Sequence, residues 1–548
     1  MANHSSLLSF PDTYGSKSAS IDQILERKLW NIARSILWNR TCGLAENAHD
    51  VDNFDTKWLE SLSLSTDFVY VPAVRLEQLG DPNFRADHGL KYAYAAGAMA
   101  NGIGSVRIVE SMGRAGMLAF FGAAGLPLNA IESAIDELQQ CDADFPYGFN
   151  LIHSPNEPEL ENAVVGLYLK RGVRLVEASA YLDVTLPIVR YRVHGIRIDG
   201  SGRIVVPNKI IAKVSRVELA SKFFAPPPAG MLRRLVAQGE ITPQQAQWAG
   251  KIPMAQDLTA EADSAGHTDN RPAITLLPTL LALRDRLQAQ YEYLEPLRVG
   301  AAGGISTPSS AAATLAMGAA FLVTGSVNQA CVESGSSDIV RDMLAEAEQA
   351  DTMMAPAADM FEMGIKVQVL KRGTMFPMRA AKLYELYRAH ASLDAIAATE
   401  RASLEKTVFR ASLEEIWENT RLFFGTRDPG QIERARRDPK HKMALVFRWY
   451  LGQSSRWANA GDLSRKIDYQ IWCGPAMGAF NEWVKGSYLQ NSKERRVVPV
   501  ALNILYGAAV LLRAVQLRCQ GVDFPSYLPR VTPLSMAEIE MRLQGQDS

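Results

Sequence analysis

The sequence carries almost no net charge: 58 Lys and Arg stand against 59 Asp and Glu in 548 residues, a formal −1. It therefore offers no broad positive field for nucleic acid or an anionic membrane, although a local patch is compatible with the total. Cysteine is scarce. The five, at 42, 141, 331, 473 and 519, form no CxxC pair and no zinc-type spacing, which excludes a disulfide framework or metal finger and fits a reducing compartment. The N-terminus has no basic segment followed by a long apolar core, so no secretory signal is expected. The longest apolar run, 497–512, is interrupted by Asn503 and falls short of the ~18 apolar residues of a membrane span, so it reads as a buried helix. No internal repeat or low-complexity segment stands out. A cytoplasmic protein is expected.

What is present is a chain too long for one compact core, with short apolar runs alternating with helical stretches from residue 92 onward. Strands are expected at about 92–97, 117–121, 147–151, 174–178, 209–214, 254–258, around Val299 and at 320–324. Eight strand–helix units in about 240 residues match the size of a closed (β/α)8 TIM barrel. An open doubly wound sheet is the competitor, and no strand–GxGxxG–helix fingerprint opens the pattern. The expected architecture is α/β. An irregular extension (1–85) carries one amphipathic helix near 21–38, the barrel occupies 86–335 with inserted helices at about 226–252, and a largely helical region (336–548) packs on the barrel. In that last region 337–349, 383–398, 402–417 and 440–449 read as helices.

The most informative stretch is 298–326. It reads as a strand, a turn containing Gly303 and Gly304, a helix opened by Ser306, Thr307 and Pro308, and a second strand ending at Gly325 and Ser326. Glycine lets backbone approach an anion closely, and a helix start directs amide N–H groups at the same place. Two such turns one unit apart are how a barrel of this kind holds a cofactor phosphate after its seventh and eighth strands. Chemistry in a barrel sits where strands end, and those ends carry a short list of candidates. Ala98, Met99 and Ala100 are small or flexible residues suited to a flat ring. Asn150 can contact a cofactor or satisfy a neighbouring strand end. Lys213, a charge within an apolar strand, needs a partner such as Glu177, and a cation there suits the electron-rich edge of a reduced flavin. His267, beside Gly266, is the acid/base candidate because its ordinary pKa lies closest to neutrality. His153 is a weaker candidate, His194 reads as structural, and Cys331 has no base at a recognisable spacing.

Several of these runs also carry a family resemblance. Tyr94-Ala-Ala-Gly-Ala-Met-Ala-Asn-Gly-Ile, Val176-Glu-Ala-Ser-Ala-Tyr, Glu261-Ala-Asp-Ser-Ala-Gly-His-Thr-Asp, Gly300-Ala-Ala-Gly-Gly-Ile and Val323-Thr-Gly-Ser-Val-Asn follow in order, with two further runs at 354–364 and 368–377. Together, from about residue 70 to beyond 490, the chain resembles the trans-acting enoyl reductases of polyunsaturated fatty acid synthases and trans-acyltransferase polyketide synthases. That family belongs to a wider group of FMN-binding barrels that includes nitronate monooxygenases. The resemblance implies FMN, NADPH as reductant, and a 2-enoyl thioester on an acyl carrier protein as substrate. It places Gly303, Gly304, Gly325 and Ser326 in the phosphate cradle. Ala98, Met99, Ala100, Asn150, Lys213 and Gly266 fall around the flavin, and His267 near the reacting carbons. One departure is visible: Ala265 stands where a second glycine is common before Gly266 and His267. Rival readings are a nitronate monooxygenase-type flavoenzyme and a non-catalytic synthase accessory protein, and a homodimer is left open. A carrier protein would also need a docking surface. Seven Lys or Arg against three acids between 421 and 442 single out Arg434, Arg436, Arg437 and Lys440, against the plainer reading of a solvated helix face.

Overall fold

The computed structural model describes residues 29–39, 45–46, 68–141, 145–153, 155, 158–522 and 531–545. Its central feature is a closed barrel of eight parallel strands, each paired with its sequence neighbours and the last with the first. The strands are β1 (Tyr94–Ala96), β2 (Leu118–Phe121), β3 (Gly148–Ile152), β4 (Leu175–Ser179), β5 (Lys209–Val214), β6 (Asp257–Glu261), β7 (Arg298–Ala302) and β8 (Leu322–Thr324). β1, β2, β7 and β8 are buried at every position, as strands covered on both faces must be. Helices follow where the sequence supplies caps. Ser105 accepts from the Ile108 amide ahead of Val106–Arg114, and Thr242 forms a capping box with Gln245 ahead of Pro243–Ala249. That second helix and Ala229–Ala237 lie within the stretch 226–252.

β6 begins three residues later than the apolar pattern implies. The amides of Met254 and Ala255 bond to the carbonyls of Ala225 and Phe223, so that apolar start belongs to the preceding connection. Asp257 sits at the strand position with two buried partners, Arg298 and His88. Arg298 donates from Nε to Asp257 Oδ1 at 2.6 Å and from Nη2 to Oδ2 at 3.2 Å, and His88 Nε2 lies 2.9 Å from Oδ2. Asp87 adds a second carboxylate, 2.6 Å from Arg298 Nη1. Burial raises the Asp257 carboxyl, and His88 and Arg298 more than reverse this, holding it down at about 2. The cluster joins the N-terminal ends of β6 and β7, far from the strand ends that carry chemistry, and reads as a stability device. Removing one partner of a buried pair strands the other. Arg298→Ala is therefore expected to destabilise the protein by about 3–5 kcal/mol, read as a lowered urea midpoint. An unchanged midpoint would show the cluster to be dispensable.

The C-terminal region is largely helical, as expected, and also contains a small sheet. Thr352–Pro356 and Lys366–Leu370 form an antiparallel hairpin, and Gly266–His267 adds a third strand to it (Gly266 opposite Gln368, His267 opposite Val367). Beyond it, Phe376–Ala389 is a helix that starts earlier than 383, because Phe376, Pro377 and Ala380 join Leu383 and Leu386 on one buried face. The helix expected over 402–417 is broken. Ala398–Leu404 runs into a wide turn at Glu405–Phe409, Arg410 adopts a left-handed conformation, and a new helix, Leu413–Arg427, starts under a Ser412 cap. Pro439–Ala460 packs with these helices around a core containing Phe361, Phe376, Ile416 and Phe447. Val497–Cys519 is one helix, with Val500, Ala501, Ile504 and Ala508 fully buried.

The described residues divide into two compact units, one of which holds all eight barrel strands and residues 76–508 and 531–536. The other comprises residues up to 75 with 509–530 and 537–548. Within it, 36–39 pairs with 45–46 on one side and with 68–71 on the other. Arg513 is fully buried there and donates to the carbonyls of Asn31 and Arg34. The helix expected over 21–38 does not reach Trp38, since Ile36–Asn39 is a strand; its residues before 29 lie outside the described ones.

Candidate functional site

The strand ends converge on one cavity of about 690 Å³. Its wall includes Ala98, Met99 and Ala100 after β1, Asn150 on β3, Lys213 on β5, and Glu261 on β6. It also includes Gly266 and His267, Gly303 and Gly304 after β7, and Gly325 and Ser326 after β8. Residues from every part of the barrel circumference that the sequence singled out thus share one space.

The two glycine turns differ in what they require. Gly303 has φ +83°, and a Cβ there would sit 2.6 Å from the Ala262 carbonyl carbon, so this glycine is demanded by the neighbouring end of β6. Gly304 has φ +73° and Gly325 a negative φ, and a Cβ at either would meet nothing within 4 Å. Those two glycines leave room in the cavity. The helix start between them contributes less than the sequence suggests. The amides of Ser306 and Thr307 donate to Ser310 Oγ, and the Ser310 amide donates to Thr307 Oγ1. A capping box occupies donors that were expected to face a ligand. Ser326 Oγ accepts from the Gly474 amide at 3.4 Å, which ties this turn to the segment after Cys473.

Lys213 is not an isolated cation. Its Nζ lies 3.4 Å from Glu261 Oε1 and 3.7 Å from Glu177 Oε2, and the latter oxygen also accepts from the Ala98 amide at 2.7 Å. Burial pushes the ammonium down, but the two carboxylates outweigh it and the net shift is upward, so Lys213 stays charged at neutral pH. Burial likewise pushes Glu177 up, with Lys213 opposing. One ammonium thus serves two carboxylates, and a ligand here meets a donor without surplus positive charge. Asn150 Nδ2 donates to the Glu177 carbonyl at 3.2 Å and to Ser179 Oγ at 3.1 Å, holding the end of β4 while lining the cavity.

His267 gains its partner from the hairpin that the sequence reading missed. Nε2 lies 3.2 Å from Oδ1 of Asp359, in the hairpin's connecting segment, and both residues line the cavity. Gln368 holds the arrangement from below, donating to Asp263 Oδ1 at 2.9 Å and the Ser264 carbonyl at 2.8 Å. Burial lowers the His267 pKa, Asp359 more than offsets it, and the imidazolium persists above its ordinary range. Asp359 is held below the usual carboxylate range, with burial opposing and His267 prevailing. The signal for Asp359 was its place inside the run 354–364, more than ninety residues from its partner. Asp359→Asn is expected to lower the His267 pKa, because it removes the charge that raises it. Following the imidazole by NMR across pH checks this, and an unmoved titration would mean the pair does not form in solution.

The other candidates are placed elsewhere. His153 Nδ1 lies 3.1 Å from Glu161 Oε2 with its ring stacked on Tyr181, a packing role. His194 is the exposed cap of Leu186–Val193. Cys331 is fully buried, and burial pushes its thiol well up, which removes it as a nucleophile. In the basic run, Arg434, Arg436 and Arg437 are exposed and Arg436 pairs with Glu433 at 2.6 Å. Lys440 is turned inward. Its Nζ donates to the carbonyls of Tyr387 and His390 and lies 4.2 Å from the centre of the Tyr387 ring, so it ties two helices together.

Paired glycine turns after β7 and β8, with titratable groups at the mouth, define a (β/α)8 barrel built for small-molecule chemistry. Comparison with known proteins narrows this. The chain is 48% identical over 450 residues to a polyunsaturated fatty acid synthase subunit of Thraustochytrium sp., covering 81% of this chain and 30% of that protein. It is 45% identical over 455 residues to polyketide biosynthesis protein PksE of Bacillus subtilis, covering 83% and 58%. The crystal structure of the enoyl reductase domain of MlnA, from the macrolactin biosynthesis cluster of Bacillus amyloliquefaciens, matches with a TM-score of 0.77 at 40% identity. That match covers 80% of this chain and 99% of that one. The chain belongs to the enoyl reductase family of polyunsaturated fatty acid and polyketide synthases, a family of oxidoreductases. It spans between 30% and 58% of the length of the two curated relatives named. Residues 390–469 separately match the inserted helical domain of acyl-carrier-protein S-malonyltransferase.

Proposed function

We propose that this chain is a trans-acting, FMN-dependent enoyl reductase that uses NADPH to saturate the 2,3-double bond of a thioester carried on an acyl carrier protein. The observation that carries this reading is the shared cavity, with open glycine turns on one side and the His267–Asp359 pair on another. The residues present fit FMN. Gly304 and Gly325 leave space that a side chain would fill, which suits a phosphate. Ala98 and Ala100 offer little bulk and Met99 a flexible side chain where a flat ring would lie, and Lys213 and Asn150 offer hydrogen-bonding groups beside it. Bound there, FMN would supply the relay of hydride from NADPH to the β-carbon.

The rest falls to side chains of this chain. A protonated His267, its Nε2 held by Asp359, donates from Nδ1 toward the thioester oxygen and stabilises the negative charge that develops there, or delivers the proton to the α-carbon. The raised His267 pKa, caused by Asp359, favours the protonated donor. Lys213 stays charged and, balanced by Glu177 and Glu261, orients a ring edge without drawing a second anion into the cavity.

The test is direct. The purified protein should carry one FMN per chain and, with NADPH and crotonyl-loaded carrier protein, add two mass units to the acyl group. Oxygen consumption with a nitronate, and no reduction of the enoyl thioester, would favour the monooxygenase reading. A flavin-free protein would favour a non-catalytic role. The exposed Arg434, Arg436 and Arg437 are proposed to steer an acidic carrier surface, with Lys440 holding the helix that presents them. Reversing Arg436 and Arg437 to Glu should lower kcat/KM for the carrier-bound substrate about tenfold at low salt, and less as salt screens the charges. Equal losses with an N-acetylcysteamine thioester would place the docking surface elsewhere.

A further inference from the structure

Glu177, Lys213 and Glu261 stand on three adjacent strands and share one face of the sheet. Glu177 on β4 lies opposite Ile211 on β5, two residues before Lys213. Lys213 in turn lies opposite Thr259 on β6, two residues before Glu261. Side chains two apart along a strand point the same way, so the three groups climb in steps towards the strand ends. Their side-chain exposure follows the climb, from 0% for Glu177 to 14% for Lys213 and 19% for Glu261. Of the three, Lys213 and Glu261 line the cavity.

The two carboxylates differ in what else they touch. Glu177 reaches down, accepting from the Ala98 amide at 2.7 Å while standing 3.7 Å from Lys213 Nζ. Glu261 is closer to Lys213, at 3.4 Å, and reaches up. Its Oε1 accepts from Ser264 Oγ at 3.4 Å, and Ser264 opens the turn that carries Gly266 and His267 into the hairpin sheet. That turn is fixed from the other side, where Gln368 donates to the Ser264 carbonyl. Burial lowers the His267 pKa, the Asp359 carboxylate raises it, Glu261 raises it further, and Lys213 opposes them. These three charges face the imidazole from the hairpin's connecting segment, β6 and β5. A negative charge in such a place favours a proton on the imidazole and disfavours electrons on any ring beside Lys213.

We propose that Glu261 is a positioning residue shared by the two halves of the site. Through Lys213 it makes a bound flavin harder to reduce and so a stronger hydride donor, and beside the turn of Ser264 it strengthens the hold of His267 on its proton. The proposal rests on the reductase reading for the flavin beside Lys213. Saturating a 2-enoyl thioester adds a hydride to the β-carbon and a proton to the α-carbon, so both donors serve one step. A single carboxylate between Lys213 and His267 favours both.

The test is Glu261→Gln in the flavin-bound protein, which removes the charge and keeps the shape. Two quantities are measured: the flavin midpoint potential against a reference dye, and the titration of the His267 imidazole by NMR. At the potential where the parent is half reduced, the variant's ratio of reduced to oxidised flavin should rise about tenfold, a shift of ~30 mV for a two-electron couple. Its imidazole should titrate at lower pH, because a charge that favours the imidazolium is gone. Asp359→Asn provides the contrast, moving the imidazole titration and leaving the potential in place. Glu261→Asp, with the charge on a shorter arm, should bring both quantities back towards the parent. Movement of one quantity alone in Glu261→Gln, or of neither, overturns the shared role. Failure of Glu261→Asp to recover either also overturns it and assigns the changes to packing. A parent protein that holds no flavin would sink the reductase reading and the flavin half of the proposal, while the imidazole titration would still decide whether Glu261 acts on His267.

Discussion

Gly304→Leu is expected to purify colourless and inactive, folded but unable to retain FMN. Strain and space act separately at this position. Gly304 has φ +73°, so any side chain there carries a left-handed penalty of about 1–2 kcal/mol. A Cβ at Gly304 meets nothing within 4 Å, so the protein itself tolerates added atoms. What those atoms would fill is the room proposed here for a phosphate. Gly304→Ala shares the backbone penalty without the bulk and serves as the control, retaining flavin with weakened affinity. At Gly303 the same experiment would mislead, because a Cβ there collides with the Ala262 backbone and the fold itself must shift. If Gly304→Leu keeps full flavin content at the parent affinity, the phosphate is not held at this turn.

His267→Ala should retain flavin and lose about 10²–10⁴-fold in enoyl reduction, the range a positioned acid or hydrogen-bond donor contributes. The loss should fall on the half-reaction with enoyl thioester and much less on flavin reduction by NADPH, because only the former develops charge on the substrate oxygen. A loss at the small end of the range would indicate that water delivers the proton in its place. Equal losses in both halves would assign His267 to holding the hairpin strand at 366–370, with which it pairs. Full activity would remove it from the reaction.

The sequence by itself determined the barrel and most of the cavity wall. Buried parallel strands read as short apolar runs separated by amphipathic helices, a local pattern with a definite period, and the strand ends then follow by counting. Gly303, Gly304, Gly325 and Ser326 were legible because glycine and hydroxyl turns at fixed offsets have few other uses. Only the tertiary structure decided who partners whom. Lys213 announced itself as a buried charge, but its placement between Glu177 and Glu261 depends on the barrel curving three strands together. Asp359 reaches His267 because 366–370 pairs with 266–267, a long-range pairing with no local signature. Lys440 looked like part of a basic face, and its inward turn follows from where the carbonyls of Tyr387 and His390 end, on a helix about fifty residues earlier. Side-chain charge is written locally, while proximity is a property of the fold.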